Sequence, residues 1–506
     1  MKKLIVLLPL FFFLSSRAQV DVKAIDKYIE QALKDWNVPG MAVGIVKDGE
    51  IVLSKGYGVK EIGGKEKVDD NTQFAIASNS KAFVASCIAR LVEEGKLSWK
   101  DKVRDYLPYF NLYGNEYVSA EATVEDLLCH RVGLGTFSGD VIWYKSEKSP
   151  EEIVKRAAYV PEAFSFRDGY GYTNLMFIAA GEVIRSVTGN SWEKYVEEHF
   201  LNPLGMVNTV ISVSDLSDNA ATPHKPTLAN GTVPGPWASW DNSSAAGGII
   251  SSSTDMSKWM MMNLNGGEWD GRQYIDKEQQ NLLWTPHNNN KLSERSKESL
   301  PGRHFSGYGL GWGLMDYHGN LVASHGGGYD GMYSRVMMVP DINLGVVVLT
   351  NTMEGISTPL TYYIVNQYLQ KDMRDWSSEY LERARSRNSH KEEVEERMTK
   401  RVTGTKPTID PQLFAGTYND PMYGDIVVIE DSEGFRMTFA DAPALSATLS
   451  HWHYDTYEIK WDEEHAWFDF GTVSFELNNN LDVEGIEFDV PNGDIFFHEL
   501  HPKRVK

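Results

Sequence analysis

The sequence predicts an α/β protein, an antiparallel sheet flanked by helices, followed by a separate all-β domain. Three observations carry this. Met41 to Val46 and Ile51 to Tyr57 flank Lys47-Asp48-Gly49, and Asp-Gly between apolar runs signals a β-hairpin. Much later, Leu321 to Ser324 and Ser334 to Val339 alternate like strands, and Leu344 to Leu349 is a continuous apolar strand, so these can join the hairpin in one sheet. From Phe414 onward the chain becomes short strands separated by turns, the spacing of a small barrel or sandwich.

At 506 residues the chain exceeds one ordinary core. The expected division is residues 1–18 as a secretory signal, 19–375 as the α/β domain, 376–406 as a charged linker and 407–506 as the barrel. Lys2 and Lys3, the apolar stretch Leu4 to Leu14 and the small-x-small site Ser16-Arg17-Ala18 make the signal. That stretch is short for a bilayer, and no later segment approaches about twenty apolar residues. A mature chain without an integral membrane segment, periplasmic or secreted, is therefore expected. Loss of Lys2, Lys3 and Arg17 takes the formal charge from −21 to −24, which disfavours nucleic acid and anionic membranes as partners. Only two cysteines, Cys87 and Cys129, are present, which excludes a disulfide scaffold and leaves a single bridge open. A homo-oligomer is compatible with all of this.

In chain order, Val22 to Trp36 reads as an amphipathic helix. Phe74 to Arg90 is a buried helix that ends near Gly95. Thr123 to Gly133 is a short capped helix, and a loop-rich stretch to residue 170 carries one more near Pro150 to Ala158. Leu175 to Val187 is a buried helix, residues 205–245 read as surface loops, and Thr254-Asp255 caps a helix running to Leu264. Leu310 to Leu314 alternates like a strand. Glu379 to Arg401 is a solvated helix or linker. In the last domain Trp467 to Phe470 is among the expected strands.

The chemistry starts at Ser78 and Lys81. Three residues apart at the mouth of a buried helix, their Cβ atoms lie about 5–6 Å from each other, within reach of a proton transfer. Ser-x-x-Lys alone is weak, because Ser191/Lys194 repeats it as an ordinary N-cap. Two further patterns add to it. Tyr172-Thr173-Asn174 places a phenol and an amide just before a buried helix, and His325-Gly326-Gly327-Gly328 offers bare backbone N–H groups at the start of a strand. No G-x-S-x-G elbow is present. His451 and His453 on one strand face lack a third partner, so no metal or other cofactor is expected.

Taken in this order, the motifs resemble the serine β-lactamase and penicillin-binding-protein superfamily, in its class C-like branch with esterases and D-amino-acid peptidases. Tyr172 lies 94 positions after Ser78, the family's spacing, whereas Tyr113 of Tyr113-Gly114-Asn115 lies only 35 away. LLCHRVGL and AAGGIISSSTDMSKW are similar to further stretches of that family. Over residues 22 to 375 the resemblance implies a β-lactamase-like sandwich. Within it Ser78 becomes acylated, Lys81 and Tyr172 share its proton, Asn174 orients lysine and substrate, and the N–H groups of Ser78 and Gly328 bind the oxyanion. Whether Lys81 or Tyr172 is the base stays open. As a base, Lys81 has to be held about 3 pKa units below its free value, about 4 kcal/mol. His325 stands where β-lactamases carry a lysine that pairs with the drug's carboxylate, and Gly326 replaces a threonine. The resemblance therefore implies an ester or short D-amino-acid peptide or amide as substrate. The alternatives are a β-lactamase or penicillin-binding DD-peptidase, and a non-catalytic module that binds cell-wall fragments or β-lactams. The stretch Leu413 to Val428 resembles a lipocalin-like barrel appended to some of these hydrolases.

Overall fold

A computed structural model describes residues 20–227, 231–300, 302–371, 374–386, 389–431 and 434–505. The expected secretory signal lies outside them. The hairpin forms as expected, β1 (Gly40–Lys47) and β2 (Glu50–Gly58). It joins β3 (Asn288–Asn289), β4 (Ser306–Tyr308), β5 (Gly313–Tyr317), β6 (Asn320–Tyr329), β7 (Met332–Val339) and β8 (Leu344–Thr350). The eight strands form one sheet in the order β2-β1-β8-β7-β6-β5-β4-β3, with every pairing antiparallel.

Both faces of the sheet are covered, which explains why β8 is apolar throughout. Val346 and Val348 join Val43 and Ile45 in a core with Ile25 and Ile29 of helix α1 (Val22–Asp35). Val347 and Leu349 face the other core, built from three helices: α2 (Ser80–Glu93), α3 (Asn174–Thr188) and α4 (Ser253–Leu264). Helix α3 stops where Gly189 takes the left-handed conformation (φ 72°) that suits a residue without a Cβ. The second Ser-x-x-Lys is an N-cap, with Ser191 accepting the Lys194 N–H.

Several expectations are corrected, and two that the sequence left open are decided. The cap of α4 is Ser252, which accepts the Asp255 N–H, so Thr254 and Asp255 lie inside the helix. Leu310 to Trp312 form a turn, with Gly311 at φ 77°, and the strand begins only at Gly313. The glycine run occupies the second half of β6, not its start. Residues 205–245 contain a hairpin, His224–Thr227 with Gly231–Pro234, in which His224 and Lys225 are buried. The charged segment forms two helices, Trp376–Ser386 and Ser389–Lys400, and Trp376 is buried against Tyr362. Cys87 and Cys129 are both free and buried.

The last domain is a closed eight-stranded barrel: β9 (Gly416–Asp420), β10 (Gly424–Asp431), β11 (Gly434–Phe439), β12 (Ala442–His453), β13 (Thr456–Trp461), β14 (Thr472–Leu477), β15 (Val483–Asp489) and β16 (Lys503–Arg504). Trp467 to Phe470 belong to a loop rather than a strand. There Phe468 packs edge-on to Tyr144 of the α/β domain. Lys145 pairs with Glu463 (2.9 Å), Lys148 with Asp441, and Arg156 donates to the Pro421 carbonyl (3.0 Å), so the barrel is docked on the segment that follows Phe137. Among the described residues no helix is long and apolar enough to cross a membrane, and no group of three His, Cys, Asp or Glu is placed to hold a metal ion.

Candidate active site

The nucleophile candidate sits on a tight turn rather than on α2 itself. Ala77–Asn79 form a 3₁₀ turn, and Ala77 has φ 47°, a left-handed conformation that costs a residue with a Cβ. The surroundings hold this strain in place. Asn79 Nδ2 donates to Ile76 O (3.2 Å) and to Ser334 Oγ (2.8 Å), and Ser334 Oγ donates to Ile76 O (2.7 Å). Gly327 closes the arrangement, because a Cβ there would lie 2.2 Å from Ile76 O and 2.4 Å from Ser334 Oγ. Its role is to let β6 approach the turn. Gly328, Gly326 and His325 line the cleft beside Ser78.

One helical turn on, Lys81 is fully buried and its Nζ meets three oxygens: Ser78 Oγ at 3.0 Å, Asn174 Oδ1 at 2.7 Å and the Ala246 carbonyl at 2.6 Å. Burial pushes its pKa down to about 7, against the opposing pull of Asp140. Tyr172 lies alongside, with Lys81 Nζ 4.9 Å from its ring centroid. Burial raises this phenol well above 10. Its hydroxyl comes near enough to Ser78 for that contact to act against the effect of burial, but makes no well-aligned hydrogen bond. The sequence left the base open; of the two groups, only Lys81 is brought toward its deprotonated, proton-accepting form.

Asn174 is held from both ends. Its Oδ1 faces Lys81 and its Nδ2 donates to Asp140 Oδ2 at 2.6 Å. Asp140 also accepts from Trp143 Nε1 (2.8 Å), and burial raises its pKa to about 8. Sequence reasoning missed Asp140, which lies in the loop-rich stretch without periodicity. It also missed Tyr308 on β4, whose hydroxyl donates to His325 Nε2 (2.7 Å), while His325 Nδ1 donates to the Gly326 carbonyl (2.6 Å). Burial and nearby Lys81 push His325 down to about 3, so it is a neutral, fully engaged ring. His130 of the LLCHRVGL stretch takes the Thr173 N–H on Nδ1 (3.1 Å) and packs 4.4 Å from the Tyr172 ring, fixing the turn that presents Tyr172 and Asn174.

The cleft has a volume of about 460 Å³, and the barrel contributes Trp467, Asp494 and Ile495 to its wall. Glu499 of the barrel accepts hydrogen bonds from Ser138 Oγ and from the Gly139 N–H (2.8 Å), immediately before Asp140.

A family model described as Beta-lactamase matches residues 25–367. The chain belongs to the β-lactamase family. The barrel of this β-lactamase-family protein corresponds to a domain of unknown function, DUF3471, matched over residues 400–504. The unguisins hydrolase ungD of Aspergillus violaceofuscus is 26% identical over 494 residues, covering 92% of this chain and 84% of that protein. Among solved structures, the octameric penicillin-binding protein homologue from Pyrococcus abyssi aligns with TM-score 0.61 at 18% identity, over 96% of this chain and all of the other. A D-stereospecific amidohydrolase from Streptomyces sp. aligns with TM-score 0.57 at 23% identity, over 70% of this chain and all of the other. These neighbours share the fold, and hydrolases are among them.

Proposed function

We propose that this protein is a secreted or periplasmic serine hydrolase that forms an acyl-enzyme at Ser78 on an ester or a short D-amino-acid peptide or amide. The observation that carries this is the environment of Lys81. A neutral amine has two hydrogens and one lone pair. The carbonyl oxygens of Asn174 and Ala246, at 2.7 and 2.6 Å, take the two hydrogens, which leaves the lone pair for the Ser78 hydroxyl at 3.0 Å. Ser78 Oγ attacks the substrate carbonyl carbon as its proton passes to Lys81. The N–H groups of Ser78 and Gly328 bind the oxyanion, and the C–N or C–O bond breaks as the leaving group takes up a proton. Tyr172, held protonated and with its hydroxyl uncommitted, is placed to donate it. Water then attacks the acyl group by the reverse proton path.

The state of His325 supports this substrate class. His325 is neutral and both its nitrogens are engaged, so it does not supply the fixed cation that β-lactamases have at that position. The names of the unguisins hydrolase and the D-stereospecific amidohydrolase point the same way for this chain. Incubation with p-nitrophenyl acetate, D-alanyl p-nitroanilide and a chromogenic cephalosporin, with intact-mass measurement, tests the proposal. Turnover of ester or amide that disappears in Ser78→Ala, with an acyl adduct on Ser78, is expected. Turnover that survives in Ser78→Ala refutes the nucleophile, and efficient cephalosporin hydrolysis refutes the substrate class.

A further inference from the structure

The charged segment between the domains stands behind the cleft. Its first helix, Trp376–Ser386, is fixed to the α/β domain: Trp376 stacks on Tyr362, which lines the cleft, and Ser377 Oγ accepts a hydrogen bond from Trp36 Nε1 (2.9 Å). Its second helix, α5 (Ser389–Lys400), is fixed to the barrel. Val394 forms a small separate core with Trp452 of β12 and Phe470. Arg401, just past the end of α5, donates to the carbonyls of Trp452 (3.0 Å) and His451 (3.0 Å).

From this seat α5 grips both barrel loops that reach the cleft. His390 Nε2 meets Asp469 Oδ1 at 2.8 Å, two positions after Trp467. Arg397 donates to both oxygens of Asp489, from Nε at 2.9 Å and from Nη2 at 2.6 Å. Asp489 ends β15 and stands five positions before Asp494. Isolated surface ion pairs contribute little, but a two-pronged guanidinium–carboxylate pair within a network contributes more. Glu393 supplies the network, pairing with Arg397 one turn away (2.8 Å).

The build of the loops makes them depend on this grip. Asn492 ties the second loop together: its Oδ1 accepts the N–H groups of Asp494 (3.0 Å) and Ile495 (2.6 Å), and its Nδ2 donates to the carbonyls of Val490 (2.9 Å) and Ile495 (2.7 Å). A loop so tied shifts as one body, and Asp489 marks one of its two ends. Behind it lies a cavity of about 390 Å³ facing His390, Glu393, Arg397 and His498, so packing does not support the loop from that side. In the first loop Trp467 lies close to β6, where a Cβ at Gly328 would sit 3.0 Å from its Cη2. Its Nε1 is buried without a hydrogen-bond partner among the described residues, so no hydrogen bond of its own fixes the indole.

We propose that α5 is a strap and that Arg397 and His390 are positioning residues, holding the two barrel loops so that Trp467, Asp494 and Ile495 form one side of the substrate cleft. The effect on substrate rests on the acyl-transfer reading above; the hold on the loops does not.

The test uses the whole chain with Arg397→Ala, His390→Ala and the double variant, beside Arg397→Lys and a control, Glu396→Gln, whose native carboxylate pairs along α5 with Lys400. Hydrogen exchange read by mass spectrometry should become about three- to tenfold faster at residues 467–471 in His390→Ala, at residues 489–496 in Arg397→Ala and at both in the double variant, while the helix carrying Lys81 keeps its protection. KM for D-alanyl p-nitroanilide should rise about tenfold in the double variant with kcat within about twofold of wild type. Arg397→Lys, which keeps the charge but not the fork, should lie between wild type and Arg397→Ala, and Glu396→Gln should match wild type. If no substrate is turned over, only the hydrolytic reading fails, and the exchange data still decide the strap. Exchange unchanged in both loops, exchange raised equally throughout the barrel, or a fall in kcat at constant KM overturns it.

Discussion

Acid should switch off this enzyme through Lys81, and the size of the effect follows from its surroundings. Burial brings the ammonium from 10.5 to about 7, a difference worth about 5 kcal/mol of preference for the neutral form. The fraction of Lys81 able to accept the Ser78 proton is then about half at pH 7 and about 1% at pH 5. The kcat/KM for a neutral ester such as p-nitrophenyl acetate should fall about tenfold per pH unit below a midpoint near 7, about a hundredfold by pH 5. His325, pushed to about 3, and Tyr172, raised well above 10, do not titrate in this window. Two carboxyls do: Asp494, raised to about 6, and Asp140, raised to about 8. A pH profile of wild type beside Asp494→Asn separates Asp494 from Lys81, because removal of Asp494 should leave the limb near 7. A profile flat down to pH 5, or a limb that vanishes with Asp494, refutes Lys81 as the base.

Asp140→Asn offers only one oxygen to two donors, Trp143 Nε1 and Asn174 Nδ2, so Asn174 loses its orientation. The lost orientation should lower kcat about tenfold to a hundredfold, and because Asp140 holds the Lys81 pKa up, the acid limb of the profile should move to lower pH. Gly327→Ala puts a Cβ against Ile76 O, and shifting the strained turn should lower kcat at least a hundredfold and destabilise the fold by about 1–3 kcal/mol, measured by denaturant titration. Glu499→Ala removes the acceptor for Ser138 and the Gly139 N–H, so about tenfold loss of kcat/KM with faster amide exchange at Gly139 is expected. The unfolded chain keeps a proton on Lys81 that the native state has released between pH 7 and 10.5. Wild-type stability relative to Lys81→Met should therefore rise with pH across that window, by at most about 1.4 kcal/mol per pH unit.

Much of the site was legible because its signals are local. Ser78 and Lys81 share a helical phase, Tyr172 and Asn174 share one turn, and the run of apolar residues in β8 announces a strand covered on both faces. What escaped is what only pairing supplies. Tyr308 reaches His325 because β4 and β6 both flank β5, an adjacency no spacing encodes. At α4 the run Ser251-Ser252-Ser253-Thr254-Asp255 offers five capping residues in succession, and the start is decided by which side chain meets the Asp255 N–H. Trp467 to Phe470 has a strand's alternation of burial, but among the described residues it joins no strand ladder, so it remains a loop that shapes the cleft. Leu310, Trp312 and Leu314 are all buried, yet Gly311 turns the chain between the first two.

The barrel closes only when β16, at Lys503–Arg504, pairs with β9 and β15. Asp494, Ile495 and Glu499 lie between β15 and that closing strand. During synthesis, Ser78 and Lys81 leave the ribosome more than four hundred residues before these groups do. The α/β domain can therefore bury its core long before its cleft has a complete wall, and a growing chain passes through a folded but unfinished stage. Premature termination within the barrel therefore yields a chain that retains Ser78 and Lys81 without the complete wall around them.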